Sequence, residues 1–217
     1  MAKSAAGAKS AAGAKQATAA KPAAAAKPAA KKQAAVAAPS VERRSALAGK
    51  TVDAAGVSLA VLPPAERLSL RVPEASALSV SRALGLTLPQ KPKTSATKDG
   101  RTALWLGPDE WLVIDEAGGD LAGDCAKAKA LHSAVDVSHR NVAIAVTGAG
   151  AAVVVNSGCP QDLSLQAFPV GACSRTVLGK SEILLYRTGE DAFRVECWRS
   201  FSDYVFSHLA EASRDAG

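Results

Sequence analysis

A hairpin is encoded by LWLGPDEWLVI, the stretch from Leu104 to Ile114. Two apolar runs flank Gly107-Pro108-Asp109 in this stretch, and Pro fixes φ near about −65°, the value needed at the first corner of a tight turn. Asp109 is a residue type that favours the next corner. The stretch therefore predicts strands over residues 102–106 and 110–115 that fold back on one another around an acidic tip.

Aromatic side chains are concentrated in this hairpin. Two of the three Trp of the chain, Trp105 and Trp111, lie on opposite sides of the turn. They serve either as core anchors beside a structural turn or as a contact patch for a partner. The two neighbouring acids are not predicted to be an acid–base pair, because adjacent residues of a strand point to opposite faces. The candidate site residues are Trp105, Gly107, Pro108, Asp109, Glu110 and Trp111.

The motif of this hairpin occurs twice. Leu106-Gly107-x-x-Glu110-x-Leu112 recurs further along the chain as Leu178-Gly179-x-x-Glu182-x-Leu184. Each copy lies in a unit that reads strand, helix, strand, strand, helix. Repetition at one constant offset predicts an α+β fold of two duplicated ferredoxin-like α/β sandwich halves, over residues 51–133 and 134–217.

Apolar periodicity assigns the elements around the hairpin. The alternation in Arg67–Val72 predicts a strand with Leu68, Leu70 and Val72 on one face and the polar residues on the other. Pro73 and Gly85 bound a helix over Glu74–Leu84, and residues 86–100 are predicted to form a loop. The other predicted strands are 57–62, 134–138, 141–146, 172–178, 182–187 and 192–197, and the other helices are 120–132, 150–156 and 201–212.

The segment over positions 1–40 has a different composition from the rest of the chain. It contains seven Lys and no acid, half of it is Ala, and Lys recurs with a regular period from Lys3 to Lys27. Such a segment cannot bury enough apolar surface to offset its ordering entropy, so residues 1–50 are predicted to be a disordered Ala/Lys/Pro-rich tail. Two uses remain open: a solubilising extension, or weak nonspecific contact with a polyanion. The remaining chain, with 19 basic and 20 acidic residues, does not have the composition of a nucleic-acid binder.

Motifs for catalysis, cofactors and metals are weak or incomplete. Gly148-Ala149-Gly150 lacks the third Gly of a dinucleotide fingerprint and is predicted to be a tight strand-to-helix turn. Asp136, Ser138 and His139 do not predict a triad, because Ser and His adjacent in an extended chain face apart. The spacing of the four Cys matches no zinc site and favours buried thiols in a cytoplasmic protein. The longest apolar run is too short to span a membrane.

At this point the motifs resemble a known family. The order of LSLRV, LPQKP, LWLGPDEWLVI, VDVSHRNVAIAVTGAGA and NSGCPQDLSLQAFPVGACSRTVLGKSEILLYR is similar to the gamma subunits of heterotetrameric sarcosine oxidase, over about residues 57–212. The last two segments also resemble the folate-binding part of the glycine-cleavage aminomethyltransferase. The resemblance implies an aminomethyltransferase-like fold and a non-catalytic subunit that packs on the large subunit of a four-subunit enzyme.

The resemblance also implies where the chemistry of that enzyme takes place. The enzyme oxidises sarcosine to glycine with formation of hydrogen peroxide and 5,10-methylenetetrahydrofolate. FAD, FMN, NAD, zinc and tetrahydrofolate are expected in the other subunits, and the alpha, beta and delta subunits are the implied partners. The paired Asp of the aminomethyltransferase pattern are absent from Gly179-Lys180-Ser181-Glu182-Ile183.

Two alternatives to the packing subunit remain. An autonomous folate-binding or aminomethyl-transfer protein would need a carboxylate for the pterin ring and a pocket between the two halves. A polyanion-binding protein that acts through its tail would give the folded part no role of its own.

Overall fold

The computed structural model of the chain describes residues 46–215. The predicted disordered tail lies outside these residues except for its last positions, 46–50. Leu47, in those positions, is only 1% exposed and belongs to a hydrophobic core. The folded part therefore begins before the predicted boundary at residue 50, because a buried Leu ties this stretch to the core.

Along the described residues, a pair of strands comes first, the first unit follows it, and the second unit comes last. The strands are β1 (Thr51–Ala54), β2 (Val57–Val61), β3 (Glu66–Arg71), β4 (Ser95–Lys98), β5 (Arg101–Gly107), β6 (Glu110–Asp115), β7 (Ser133–Asp136), β8 (Asn141–Thr147), β9 (Cys173–Leu178), β10 (Ser181–Gly189) and β11 (Ala192–Trp198). The helices are α1 (Glu74–Leu84), α2 (Leu121–Ala126), α3 (Ala151–Asn156) and α4 (Ser202–Ser213), and a 3-10 turn at Arg199–Phe201 precedes α4.

Two antiparallel sheets are built from these strands. The first has the order β4-β5-β6-β3-β7 and the second the order β1-β2-β8-β11-β10-β9. In the first sheet β3, β5, β6 and β7, with helices α1 and α2, form a ferredoxin-like βαββαβ unit that β4 extends at its edge. The second sheet repeats this arrangement with β8, β10, β11, α3 and α4, which confirms the predicted α+β fold of two duplicated halves.

The fourth strand of the second unit comes from the other end of the chain. Strand β2 pairs with β8, with Leu59 opposite Val146, although the whole first unit lies between them in the sequence. Strand β7 in turn pairs with β3 of the first sheet. The sheets therefore do not follow the predicted division between residues 133 and 134, because pairing between distant strands leaves no local sequence signal.

The repeated motif is not placed at equivalent turns. Its first copy lies at the β5–β6 turn, and its second lies at the β9–β10 turn, one strand earlier in the unit. The structural equivalent of β5–β6 is β10–β11, and both hairpins shift register just before the turn, at Gly107 and at Gly189. The duplication is real, but the structural counterpart of Gly107 is Gly189, whereas the sequence repeat matches Gly107 with Gly179.

Local sequence signals account for most elements, and the structure differs from the predicted elements at two places. Helix α1 has the predicted bounds, and the predicted turn at Gly148 is confirmed, since a Cβ there would lie 2.3 Å from the carbonyl oxygen of Gly56. The predicted loop over residues 86–100 contains β4, which folds onto β5 through Asp99-Gly100, both with positive φ. The predicted helix over residues 120–132 ends at Ala126, because the chain must become extended to pair β7 with β3.

The hydrophobic core has three parts. One lies between the first sheet and helices α1 and α2, and one lies between the second sheet and helices α3 and α4. The third part lies between the two sheets and includes Leu104, Leu112, Ile114 and Leu184. Each sheet is therefore covered on both faces, by helices on one side and by the other sheet on the other.

Candidate functional site

The acidic tip of the β5–β6 hairpin is held by arginines from both units. Arg71 of β3 donates to Asp109 at 3.2 Å and to Glu110 at 3.1 Å, and Arg175 of β9 donates to Glu110 at 2.6 Å. The side chain of Glu110 is only 14% exposed, whereas that of Asp109 is 54% exposed. Glu110 thus joins the two units, and Asp109 is a solvent-exposed turn residue beside Pro108.

The two Trp of the hairpin lie in different environments. Trp111 is fully buried in the core under helices α1 and α2, and its Nε1 donates to the carbonyl oxygen of Pro89 at 2.8 Å. Trp105, directly opposite on β5, is half-buried and packs against the edges of both this core and the core between the sheets. Trp111 is therefore a core anchor with no face for a partner, and a partner contact at Trp105 and the hairpin tip stays a prediction.

A charged network crosses the space between the sheets. Arg67 of β3 donates to both carboxylate oxygens of Glu196 on β11, at 2.8 and 3.0 Å. Arg194 of β11 donates to Glu196 at 2.8 Å and also pairs with Glu116, which follows β6. The polar face predicted for the Arg67–Val72 strand is thus covered by the second sheet at Arg67, which is 2% exposed, whereas Arg71 at its other end stays exposed.

A cavity of about 350 Å³ adjoins this network between the sheets. Glu116 and Arg194 are its charged residues, and Glu116 is already paired with Arg194. The other lining residues come from both sheets and are hydroxyl-bearing or apolar: Thr97, Thr102, Thr147, Thr188, Tyr186, Leu62, Ile114, Ala145 and Phe193.

An exposed aromatic surface, which we define as Trp198, Phe201 and Tyr204, lies where β11 runs into helix α4. These side chains are 40%, 45% and 40% exposed, and the rings of Trp198 and Phe201 have centroids 6.2 Å apart. The guanidinium carbon of Arg140 lies 4.7 Å from the Trp198 ring centroid. Because Trp198 and Glu110 line one groove, this surface continues to the predicted hairpin tip.

Sequence reasoning missed the aromatic surface. The signal was present, since Trp198, Phe201 and Tyr204 recur at every third position, which places them on neighbouring faces at the start of a helix. The predicted final helix was instead assigned from its apolar positions, among them Val205 and Leu209, which do lie in the core.

Three of the four cysteine thiols are not activated. All four Cys are buried, and burial raises the pKa of Cys173 and of Cys197 to about 12 and that of Cys125 to about 11. These three thiols stay protonated near neutral pH, and a thiol is a far weaker nucleophile than a thiolate.

The Asp-Val-Ser-His run forms a turn. Asp136 accepts from the backbone N–H of Ser138, and the Ser138 hydroxyl contacts Glu66 and the backbone of Arg67, while His139 is exposed. The run is therefore part of the connection from β7 to β8, and the hydroxyl of its Ser is engaged by Glu66 and the backbone of Arg67.

Metal-binding clusters and membrane-spanning helices are both absent from residues 46–215. Within them no group of three or more His, Cys, Asp and Glu side chains is placed to hold a metal ion. No helix of this described part is long and apolar enough to cross a membrane.

Two ferredoxin-like units packed sheet against sheet define the class of protein. The same fold is found in the glycine cleavage system aminomethyltransferase T from Bartonella henselae, with a TM-score of 0.57 and 15% identity over 73% of this chain and 46% of that chain. At this identity the likeness concerns the fold alone. The sequence pattern of one family matches residues 71–215, and the chain belongs to that family, the sarcosine oxidase gamma subunit family.

Individual relatives agree with the family. The chain is 33% identical to a sarcosine oxidase subunit gamma of Arthrobacter over 137 residues, which are 62% of this chain and 68% of the relative. It is 32% identical to that of Corynebacterium strain P-1 over 62% of this chain and 68% of the relative. Among solved structures, it is similar to a chain of the heterotetrameric sarcosine oxidase from Corynebacterium U-96 in complex with pyrrole 2-carboxylate. That match has a TM-score of 0.75 and 28% identity, over 80% of this chain and 96% of that chain.

Proposed function

We propose that the chain is the gamma subunit of a heterotetrameric sarcosine oxidase and stabilises that complex without contributing catalytic groups. The similarity to the solved complex, over 96% of the matched chain, carries this proposal. The complex would oxidise sarcosine to glycine in the cytoplasm, with hydrogen peroxide and 5,10-methylenetetrahydrofolate as the other products. Its alpha, beta and delta subunits would be the partners, and the flavins, NAD, zinc and tetrahydrofolate would belong to them.

The chemistry of the described residues supports a packing role. The buried carboxylate Glu196 is neutralised by two arginines, and the acids of the hairpin tip are paired as well. Burial raises the pKa of Cys125, Cys173 and Cys197, so none of these three is a ready nucleophile. A fold that is used elsewhere for catalysis would here serve as a rigid partner surface.

The cavity between the sheets does not fit a folate. Holding a pterin ring there would require a carboxylate free to accept its hydrogen bonds. Glu116 is the acid that lines the cavity, and its carboxylate is paired with the Arg194 guanidinium. The autonomous folate-binding alternative would therefore require Glu116 to leave Arg194, and the buried guanidinium would then lose its second carboxylate.

The aromatic surface is our candidate for the contact with the large subunit. Interface hot spots are enriched in Trp, Tyr and Arg, and Trp198 already stacks beneath Arg140 in a cation–π contact. The chain has only three Trp, two Tyr and four Phe, so three exposed aromatic side chains at one place are a marked concentration.

Co-expression of the four subunits tests this function. The full chain should co-purify with the other subunits, and alone it should lack flavin absorbance and should not oxidise sarcosine. Trp198→Ala together with Phe201→Ala should weaken assembly by roughly tenfold or more. The lone chain should still fold, with a melting temperature lowered by only a few degrees, because Trp198 and Phe201 are 40% and 45% exposed and neither belongs to a hydrophobic core.

Val153→Ala is the matched control for that experiment. Val153 is 63% exposed on helix α3, away from the aromatic surface, so its truncation should leave assembly unchanged. Normal assembly of the double variant would show that the contact lies elsewhere. Failure of the wild-type chain to co-purify would overturn the subunit assignment itself.

A further inference from the structure

The positive charge of the network between the sheets is balanced in part by an exposed glutamate, which has room to move away from it. Arg67 and Arg194 have side chains only 2% and 8% exposed, and in the described part of the chain the one carboxylate buried against both is Glu196. The second counter-charge comes from Glu116, whose side chain is 58% exposed. Buried charges must be compensated, so the network needs an anion at the position of Glu116, but that anion need not be Glu116 itself.

Arg194 has a donor that the described protein does not use. Its Nε donates to Glu196 and its Nη1 to Glu116, whereas its Nη2 is buried and has no hydrogen-bond partner in residues 46–215. Burial alone opposes the charge on this guanidinium, but Glu196 and Glu116 raise its pKa, so it stays a cation. Native structures rarely leave such a donor unsatisfied, and this one is on a residue that lines a cavity.

The shape and lining of the cavity indicate what kind of molecule it can hold. Its volume of about 350 Å³ lies at the small end of the range of ligand pockets. Tyr186 and Thr188 of β10 and Thr97 and Thr102 of the opposite sheet supply hydroxyl groups, and Ile114 and Ala145 supply apolar surface. A compact organic molecule with an apolar body and one anionic end matches this wall.

We propose that the cavity between the sheets is a binding site for a small organic carboxylate, which takes the place of Glu116 on Arg194. The carboxylate would accept from Nη1 and Nη2 together, whereas Glu116 accepts from Nη1 alone. A bidentate Arg–carboxylate pair is stronger and more directional than a single contact, which makes the exchange favourable. The proposal does not depend on where the chain contacts its partners.

Calorimetric titration of the full chain with benzoate tests the site. Glu116→Gln removes the competing carboxylate, and the variant should fold normally because Glu116 is mostly exposed. Its affinity for benzoate should exceed that of the wild-type chain by about tenfold. Glu182→Gln, which removes an exposed acid that does not line the cavity, is the charge-matched control and should bind like the wild-type chain.

Two further measurements identify what is recognised and where. Benzamide, which is the uncharged isostere, should bind at least tenfold more weakly than benzoate to Glu116→Gln, since it lacks the negative charge and has one acceptor oxygen instead of two. Ala145→Phe fills the cavity and should abolish binding while the melting temperature shows that the variant is folded. The proposal is overturned if Glu116→Gln and Glu182→Gln bind benzoate equally, if neither binds it, or if benzamide binds as tightly as benzoate.

Discussion

The β5–β6 and β10–β11 hairpins hold equivalent positions in the two units, but the faces that they turn toward the opposite sheet differ. At equivalent positions β6 has Leu112 and Ile114, and β11 has Arg194 and Glu196. Both pairs lie in the space between the sheets. On the faces covered by helices, both β6 and β11 carry apolar residues: Trp111 and Val113, Phe193 and Val195. Strand β10 adds the buried Arg187 to that face, opposite Phe193.

This difference shows where a duplicated sheet can exchange a pair of apolar side chains for a charged pair. The helices on one side of each sheet pack mainly apolar side chains against it, so a buried charge there depends on backbone carbonyl groups for partners, as Arg187 does. Between the sheets, β3 offers Arg67, whose fork matches the two oxygens of Glu196. A charged pair can replace an apolar pair at such a place because both partners belong to the chain, at little net change in stability.

The largest effect that we expect comes from breaking the charged pair. Glu196→Ala should lower the free energy of unfolding by about 3–5 kcal/mol, because it leaves two buried guanidinium groups without their shared carboxylate. Chemical denaturation of the full chain measures this change. Glu182→Ala, at an exposed position of β10, should change the stability by less than about 0.5 kcal/mol.

The same measurement on a combined variant sharpens the comparison. Arg67→Leu, Arg194→Leu and Glu196→Ile together give β11 the apolar pattern of β6, and the stability should return to within about 1 kcal/mol of the wild-type value or exceed it. A combined variant as unstable as Glu196→Ala would mean that the charges are required by the packing between the sheets.

The next largest effect concerns the helix-covered face, on which β6 and β11 both carry a large aromatic side chain. Trp111→Ala should cost about 3 kcal/mol of unfolding free energy, since it removes the largest fully buried side chain of the described residues and leaves a cavity under α1 and α2. Phe193→Ala, at the equivalent position, should cost a similar amount. A loss below about 1 kcal/mol at Trp111, with assembly weakened instead, would restore this residue as a partner anchor.

The charged pair on β11 should also make the stability of the chain depend on pH, which the apolar pair on β6 does not do. Burial by itself raises the pKa of the Glu196 carboxyl, but the charges and hydrogen bonds of Arg194 and Arg67 lower it below its ordinary value. A lowered folded-state pKa gives stability that is present above the unfolded pKa, near about 4.3, and is lost as the pH falls through the folded pKa. Between about pH 5 and pH 3 the wild-type chain should therefore lose stability more steeply than the combined apolar variant.

The smallest effect is expected at the hairpin tip. Asp109→Asn should change the free energy of unfolding by less than about 1 kcal/mol, because Asp109 and Arg71 form an exposed ion pair and Asn keeps the turn preference. Glu110→Gln should cost more, since Glu110 is largely buried and joins two arginines. Turnover of the reconstituted complex should survive Asp109→Asn, and a hundredfold loss with intact assembly would instead assign catalysis to this chain, about 2.7 kcal/mol of barrier.

The sequence predicts a structural element well when the residues that determine it are close together in the chain. Helix α1 lies between Pro73 and Gly85, and the β5–β6 turn contains its own Pro and Asp, so both follow from neighbouring residues. The pairing of β2 with β8 depends on strands far apart in the chain, and nothing within either strand specifies the other.

The candidate site shows the same limit. Alternation in β3 correctly separates Leu68 from Arg67, but it cannot tell whether water or a second sheet covers the polar face. The cavity between the sheets escapes prediction for this reason, since its lining comes from both units. The aromatic surface at Trp198 was within reach of sequence reasoning, because three aromatic residues at regular intervals are a local pattern.

The pairing of β2 with β8 has a consequence for how the chain folds during translation. The strands of the first sheet, Glu66 to Asp136, are complete once a contiguous stretch has emerged, so that sheet can form early. Strand β2 is synthesised before all of them, yet its neighbour β8 is translated later and is itself held by β11, which follows later still. The edge of β2 that β8 will cover therefore stays unpaired through most of translation, in the state most open to wrong partners.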